Sequence, residues 1–203
     1  MPFFDTILKC FFLTLLLNEI SSETIQTASI VSGWDFIQVK VQLNLNKTNI
    51  DTSKVRNATN CTSVNTLWKN ESDHTAFEVL TSYLKETGTW FQVNETFRFY
   101  NQSGIYDYMN ATSHSGGPAG AYQFLFTDDN CTVVQVLSIQ FETHERALGE
   151  NYTYLDERND RLCHQWVKNG TMVSEDCDNF FMQNCNNQTV YRDYDYNCTE
   201  LLR

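Results

Sequence analysis

The run RLCHQWVKNG, residues 161–170, sets Cys163 beside His164, with Trp166 two positions on. Thiol and imidazole are a common ligand pair for metals and a common nucleophile–base pair. In a strand, however, neighbouring side chains point to opposite faces. Cys163 and His164 in a strand could neither share a metal nor form a thiolate–imidazole pair. If Cys163 lies outside, it can reach an external helix and pair with Cys185, and His164 and Trp166 then face inward together. His74, His114 and His144 add no metal-ligand spacing. His74 and His114 read as solvated turn residues, and His144 belongs to a charged link. His-Glu-X-X-His, Gly-X-Ser-X-Gly and glycine-rich phosphate loops do not occur in the sequence. The expectation is a protein that is not an enzyme and uses no cofactor or metal.

Glu95 is the second residue of interest. It is the middle residue of the glycosylation triplet Asn94-Glu95-Thr96, within WFQVNETFRFY. A glycosylated Asn94 must face solvent, which sends Phe91, Val93, Glu95, Phe97 and Phe99 to the other face. A carboxylate among those apolar groups costs several kcal/mol unless paired or neutralised. Glu95 therefore either sits at a wet rim or beside a Lys or Arg, or it is the partner of a bound cation. The same parity, taken from Asn46, sends Val39, Val41, Leu43 and Leu45 inward. Taken from Asn110, it sends Ile105, Asp107 and Met109 inward and Tyr106 and Tyr108 outward, unless a bulge resets the strand there.

The elements that must position these residues are short alternating segments rich in Val, Phe, Tyr and Thr. Eight strands are expected, in FIQVKVQLN, CTSVNTLW, TAFEVLTSYL, TWFQVNETFRFY, GIYDYM, AYQFLFT, CTVVQVLSI and LCHQWV. Most links are short polar turns suited to hairpins. The segment ETIQTASIVSGWDF ahead of them reads as a helical or irregular lead-in. After the last strand, Ser174 can cap a helix in SEDCDNFFMQNC that carries Cys177, Phe181 and Cys185 on one face. The expected fold is all-β: an eight-stranded antiparallel up-and-down barrel with a short C-terminal helix packed outside, wide enough for one small ligand. A two-sheet sandwich is the alternative. Trp34, Trp68 and Trp90 read as packing residues.

The chain has 203 residues, enough for one domain with a sizeable core. Residues 1–22, MPFFDTILKCFFLTLLLNEISS, read as a secretory signal peptide, leaving a single mature domain over 23–203. Cys10 leaves with the signal. Cys61, Cys131, Cys163, Cys177, Cys185 and Cys198 remain, an even set that in a secreted chain implies disulfides, with 15 pairings possible. Glycosylation triplets at Asn46, Asn57, Asn70, Asn94, Asn101, Asn110, Asn151, Asn169 and Asn187 suit a secreted surface. Asn60, Asn130 and Asn197 carry the triplet with a cysteine in the middle. The formal charge is −11, and −10 once Asp5, Glu19 and Lys9 leave with the signal. Such an acidic chain, without a basic stripe, argues against nucleic-acid partners and against docking on anionic membranes. A secreted monomer is expected.

TDDNCTVVQV, CHQWVKNG, VSEDCDNFFMQNC and the terminal YNC together resemble the secreted salivary lipocalins of ticks, the histamine-binding family. The resemblance runs from Trp34 to Cys198. It implies a lipocalin barrel that sequesters a host mediator during feeding, with pairs Cys61–Cys198, Cys131–Cys177 and Cys163–Cys185. It also implies a ligand site. Glu95 matches a family carboxylate, Tyr106 and Tyr108 match aromatic lining positions, and Tyr122 stands where amine binders carry Asp. A loop acid of the family has its nearest counterpart in Asp51. At a second family site, Thr132 and His164 replace an Asp and a Glu, and Trp166 is kept. The implied ligand is a biogenic amine, histamine or serotonin, or a lipid mediator such as a fatty acid or leukotriene. The lost acids favour the lipid, and Glu95 favours the amine. The other function the resemblance allows is a glycosylated immunomodulator that binds a host protein through its outer surface.

Overall fold

The computed structural model describes residues 31–50, 59–112, 119–141, 152–153, 161–185, 190–192 and 198. The expected signal peptide lies outside them, as do Asp51, Asn57, His114, His144, Asn151, Asn187 and Asn197.

Helix α1 (Gly33–Phe36) leads into strands β1 (Gln42–Thr48), β2 (Thr59–Asn70), β3 (Thr75–Leu84), β4 (Thr89–Gln102), β5 (Ile105–Ala111), β6 (Ala119–Thr127) and β7 (Cys131–Phe141). The short β8 (Tyr152–Thr153), then β9 (Cys163–Lys168), helix α2 (Glu175–Asn184) and the short β10 (Tyr191–Arg192) follow. Each strand from β1 to β7 pairs antiparallel with the next, and β9 pairs with both β7 and β1. That double pairing closes an eight-stranded up-and-down barrel and removes its edges, as expected from the sequence. β8 and β10 are two-residue additions, on β7 and β1 respectively.

The first strand begins later than expected. FIQVKV does not continue the alternating run, because α1 ends at Phe36 and a turn follows. The Val41 amide donates to Gln38 O at 3.1 Å, and Lys40 takes a left-handed φ of 67°. Leu43 and Leu45 are buried as anticipated, but Val39 is 41 % exposed. The first helix instead plugs one end of the barrel. Ser32 caps it, its hydroxyl accepting from the Asp35 amide, and Trp34, Phe36 and Ile37 are buried in the barrel core. Asp107 accepts from the Gly33 amide at 2.7 Å. The Lys69 ammonium donates to the carbonyls of Trp34 at 2.7 Å and Ile37 at 3.0 Å, and lies over the Trp34 ring. His74 is no solvated turn residue: it stacks on Tyr106 and contacts the Trp34 ring. Trp68 also departs from expectation, lying on the outer face against Phe77 and 45 % exposed.

A Cβ on Gly33 would meet the Phe124 ring at 2.4 Å, in the packed floor of the barrel. Gly33→Ala should therefore cost about 1–3 kcal/mol, the usual range for overpacking. Urea denaturation measures it, and a loss below 0.5 kcal/mol by the same scale would mean the plug gives way freely.

α2 lies on the outside, its Ser174 cap accepting from the Cys177 amide at 3.0 Å. Cys131–Cys177 and Cys163–Cys185 bind it to β7 and β9, and Cys61–Cys198 ties the tail to β2. These are the three pairs the family resemblance implied. Under α2, Gln165 is fully buried and donates towards Asp178, which is ion-paired with Lys47. Asn46 is drawn into this network: its Nδ2, the atom a glycan would join, donates to Gln165 Oε1 at 2.6 Å. Asn70, Asn94, Asn101, Asn110 and Asn169 are exposed, whereas Asn60 is buried.

Candidate ligand site in the barrel

Directly opposed residues of an antiparallel pair share a face. On β4, Glu95, Phe97 and Phe99 are buried, while Asn94 is exposed, so the register inferred from Asn94 is the observed one. Glu95 stands opposite Glu78 of β3. Glu78 is buried too, beside Thr66 of β2, whose hydroxyl donates to it at 3.4 Å. Two carboxylates thus enter the barrel on adjacent strands. Glu95 Oε1 accepts from the Thr96 amide at 2.9 Å.

Burial raises the Glu78 carboxyl from its ordinary 4.5 to about 7, only partly offset by the Thr66 hydroxyl and the positive field of Lys69. Tyr122 of β6 is buried in the same interior, and burial together with Glu78 and Glu95 pushes its phenol upward. The Tyr122 ring meets Phe97 edge-on at 5.8 Å. Phe97 and Tyr122 belong to an apolar core cluster that also holds Leu43, Phe99, Met109, Phe124, Val134 and Val136. This arrangement can receive a positive charge. Two buried carboxylates on adjacent strands favour a cation, and the aromatic rings offer faces to one.

β5 divides the two tyrosines. Met109 is buried and Asn110 exposed, and Tyr108 lies opposite Tyr100, which is 44 % exposed. Tyr108 therefore faces outward, as parity required, and is not part of the interior wall the resemblance implied. A bulge follows, after which Tyr106 pairs with Asn101 and packs against the barrel core beside His74. The bulge resets the strand, so Tyr106 packs inward where parity from Asn110 had sent it outward.

Thr132, His164 and Trp166 share the inner face of β7 and β9, with Thr132 opposite Trp166. Thr132 is spent on the wall: its hydroxyl donates to Phe126 O at 2.8 Å. His164 meets Trp166 edge-on at 5.9 Å, and burial pushes its imidazole down to about 4, so it is neutral at physiological pH. Cys163 faces the other way, in the cluster beneath α2. Among the described residues, no group of three or more His, Cys, Asp or Glu could hold a metal.

Glu78 was not singled out from the sequence. On β3 the alternate set Phe77, Val79 and Tyr83 looks more core-like than Ala76, Glu78, Leu80 and Ser82. The usable signal is the hairpin: a four-residue turn over 85–88 joins Leu84 to Thr89, and counting back along both strands sets Glu78 opposite Glu95.

No curated protein matches the sequence significantly. Among solved structures, the chain is similar to japanin from Rhipicephalus appendiculatus bound to cholesterol, with TM-score 0.49 and 14 % identity over 77 % of this chain and 93 % of japanin. It is also similar to AM182 in a serotonin complex, with TM-score 0.47 and 15 % identity over 81 % of this chain and 88 % of AM182. The family model of the tick histamine binding protein matches residues 26–200. With nearly the whole sequence covered by that model, this barrel with its external, doubly stapled helix belongs to the tick histamine binding protein family.

Proposed function

We propose that the barrel binds a small organic cation, an amine of the histamine and serotonin class, with its ammonium group held by Glu78 and Glu95. The single observation carrying this reading is the pair of opposed carboxylates buried in an aromatic interior. A fatty acid would bring a third negative charge to that place, so the second acid moves the balance from lipid to amine. Family membership supports the same ligand class. In this reading the protein is a secreted scavenger, not a catalyst, that removes a host mediator and so blunts inflammation. The three disulfides support an oxidising, extracellular setting.

The pH dependence of binding tests the proposal. Serotonin is a suitable probe because its ammonium stays charged from pH 5 to 8. Glu78 faces Thr66, Lys69, Glu95 and Tyr122, and in the empty barrel it takes up a proton near pH 7. A cation prefers the ionised acid, so binding must expel that proton below pH 7. Affinity should be level near pH 8 and should weaken on acidification, approaching tenfold per pH unit once Glu78 is fully protonated. His164, with its imidazole at about 4, stays neutral across this range. Calorimetric titrations between pH 5.5 and 8 measure the slope, and an affinity constant over that window would oppose the assignment of Glu78.

A further inference from the structure

β4 and β9 stand across the barrel from each other, with three strands between them either way around. Glu95 on β4 and His164 on β9 both face the interior from these opposite walls.

His164 has a feature the wall does not account for. Its Nδ1 is shielded from solvent and has no hydrogen-bond partner among the described residues. A buried polar atom left without a partner is costly and calls for an explanation. The groups beside His164 are Trp166, Thr48 and Val134, the last two directly opposite it. The Thr48 hydroxyl already donates to Cys163 O at 3.0 Å and accepts from the Ile50 amide. The interior thus has an acidic pole at Glu78 and Glu95 and a neutral, unsatisfied pole facing it.

We propose that His164 is a specificity-determining residue whose Nδ1 hydrogen-bonds a hydroxyl at the far end of the ligand, so that the barrel selects hydroxylated aryl amines over amines of the same shape without the hydroxyl. This deepens the amine reading and rests on it. A hydroxyl suits either tautomer of the imidazole, because it both donates and accepts. A second ammonium is disfavoured, since among the described residues the groups beside His164 are Trp166, Thr48 and Val134, none of them a carboxylate. The Trp166 ring supplies an apolar flank for the aryl group.

The test compares serotonin with tryptamine, which differ by one hydroxyl, on the full secreted protein at pH 8. Wild type should bind serotonin about 10- to 100-fold more tightly, the scale of a buried group left unsatisfied by the analogue. His164→Phe should bring the two affinities within about threefold by weakening serotonin and sparing tryptamine. His164→Gln, which keeps a hydrogen-bonding end, should retain part of the preference and covers the case in which the Phe variant fails to fold. Equal binding of both amines by wild type would overturn the role of His164 and leave the amine reading standing. A preference that survives in both variants would overturn it as well. If wild type binds neither amine, the amine reading itself falls and the role of His164 falls with it.

Discussion

Replacing Glu78 by Gln is expected to weaken amine binding about 100-fold while making the empty protein more stable at pH 8. Both effects have one cause, the burial of a charge whose cost the Thr66 hydroxyl and Lys69 offset only in part. In the fold Glu78 takes up its proton near pH 7, against 4.5 when unburied. Below pH 4.5 folded and unfolded chains both carry the proton, and the acid is buried neutral. As pH rises from 4.5 to 7, the unfolded chain ionises first and stability is lost. Above pH 7 the loss is complete and amounts to about 3 kcal/mol, from 1.36 kcal/mol per pKa unit. Gln keeps the shape and most of the hydrogen bonding but has no charge to bury. Glu78→Gln should therefore gain up to about 3 kcal/mol at pH 8 and nothing below pH 4.5. Its affinity loss reflects a missing charge-assisted contact with the ammonium. Urea denaturation at pH 8 and pH 4, beside an amine titration, reads both effects. A variant that is less stable at pH 8 would show that Glu78 is held ionised by the protein alone.

His164 works in the opposite sense. Its folded imidazole is pushed down to about 4 from an ordinary 6.5. As pH falls through 6.5 the unfolded chain gains a proton that the fold refuses, so stability drops until about pH 4. Between pH 6.5 and 4.5 the two buried groups oppose each other, which flattens the stability profile of the wild type.

The second large effect concerns the disulfides. Loss of Cys61–Cys198 is expected to be the most damaging, because it closes a span of 137 residues, against 46 for Cys131–Cys177 and 22 for Cys163–Cys185. Chain entropy assigns these about 5, 4 and 3 kcal/mol. The consequences differ in kind. Cys61–Cys198 holds the tail to β2, in the barrel wall, so its removal loosens the chain as a whole. The other two hold α2, and their cysteines form a buried cluster with Phe181, Val133 and Val167. Their removal frees α2 first. Paired Cys→Ser variants, denatured in urea, rank the three. Stability within 1 kcal/mol of wild type for the variant lacking Cys61 and Cys198, on the same entropic scale, would contradict the assignment.

Much of this arrangement was legible in the residues. The alternation of TAFEVLTSYL gave β3 as it is observed, and Asn94 gave the inward face of β4. Strand parity separated Cys163 from His164, and Ser174 marked the start of α2. The misses have physical causes. FIQVKV alternates like a strand, but the close seat of Gly33 on Phe124 and the latch from Lys69 hold α1 as a plug. His74 looked solvated because its stacking partners, Trp34 and Tyr106, are remote in sequence. Glu78 was hidden by the apolar appearance of its alternate neighbours. The bulge in β5 moved Tyr106 inward and left Tyr108 outward. Long-range contacts decide each of these positions, and alternation alone carries no such information.

Glu78 and Glu95 are proposed to make this barrel an amine binder. Calorimetric titration of the protein at pH 8 with serotonin, histamine and a long-chain fatty acid tests it most directly. Saturable one-to-one binding of an amine is predicted, lost in the Glu78→Gln, Glu95→Gln double variant, with no binding of the fatty acid. Fatty-acid binding that persists in that double variant, with no heat from either amine at millimolar concentration, would contradict it.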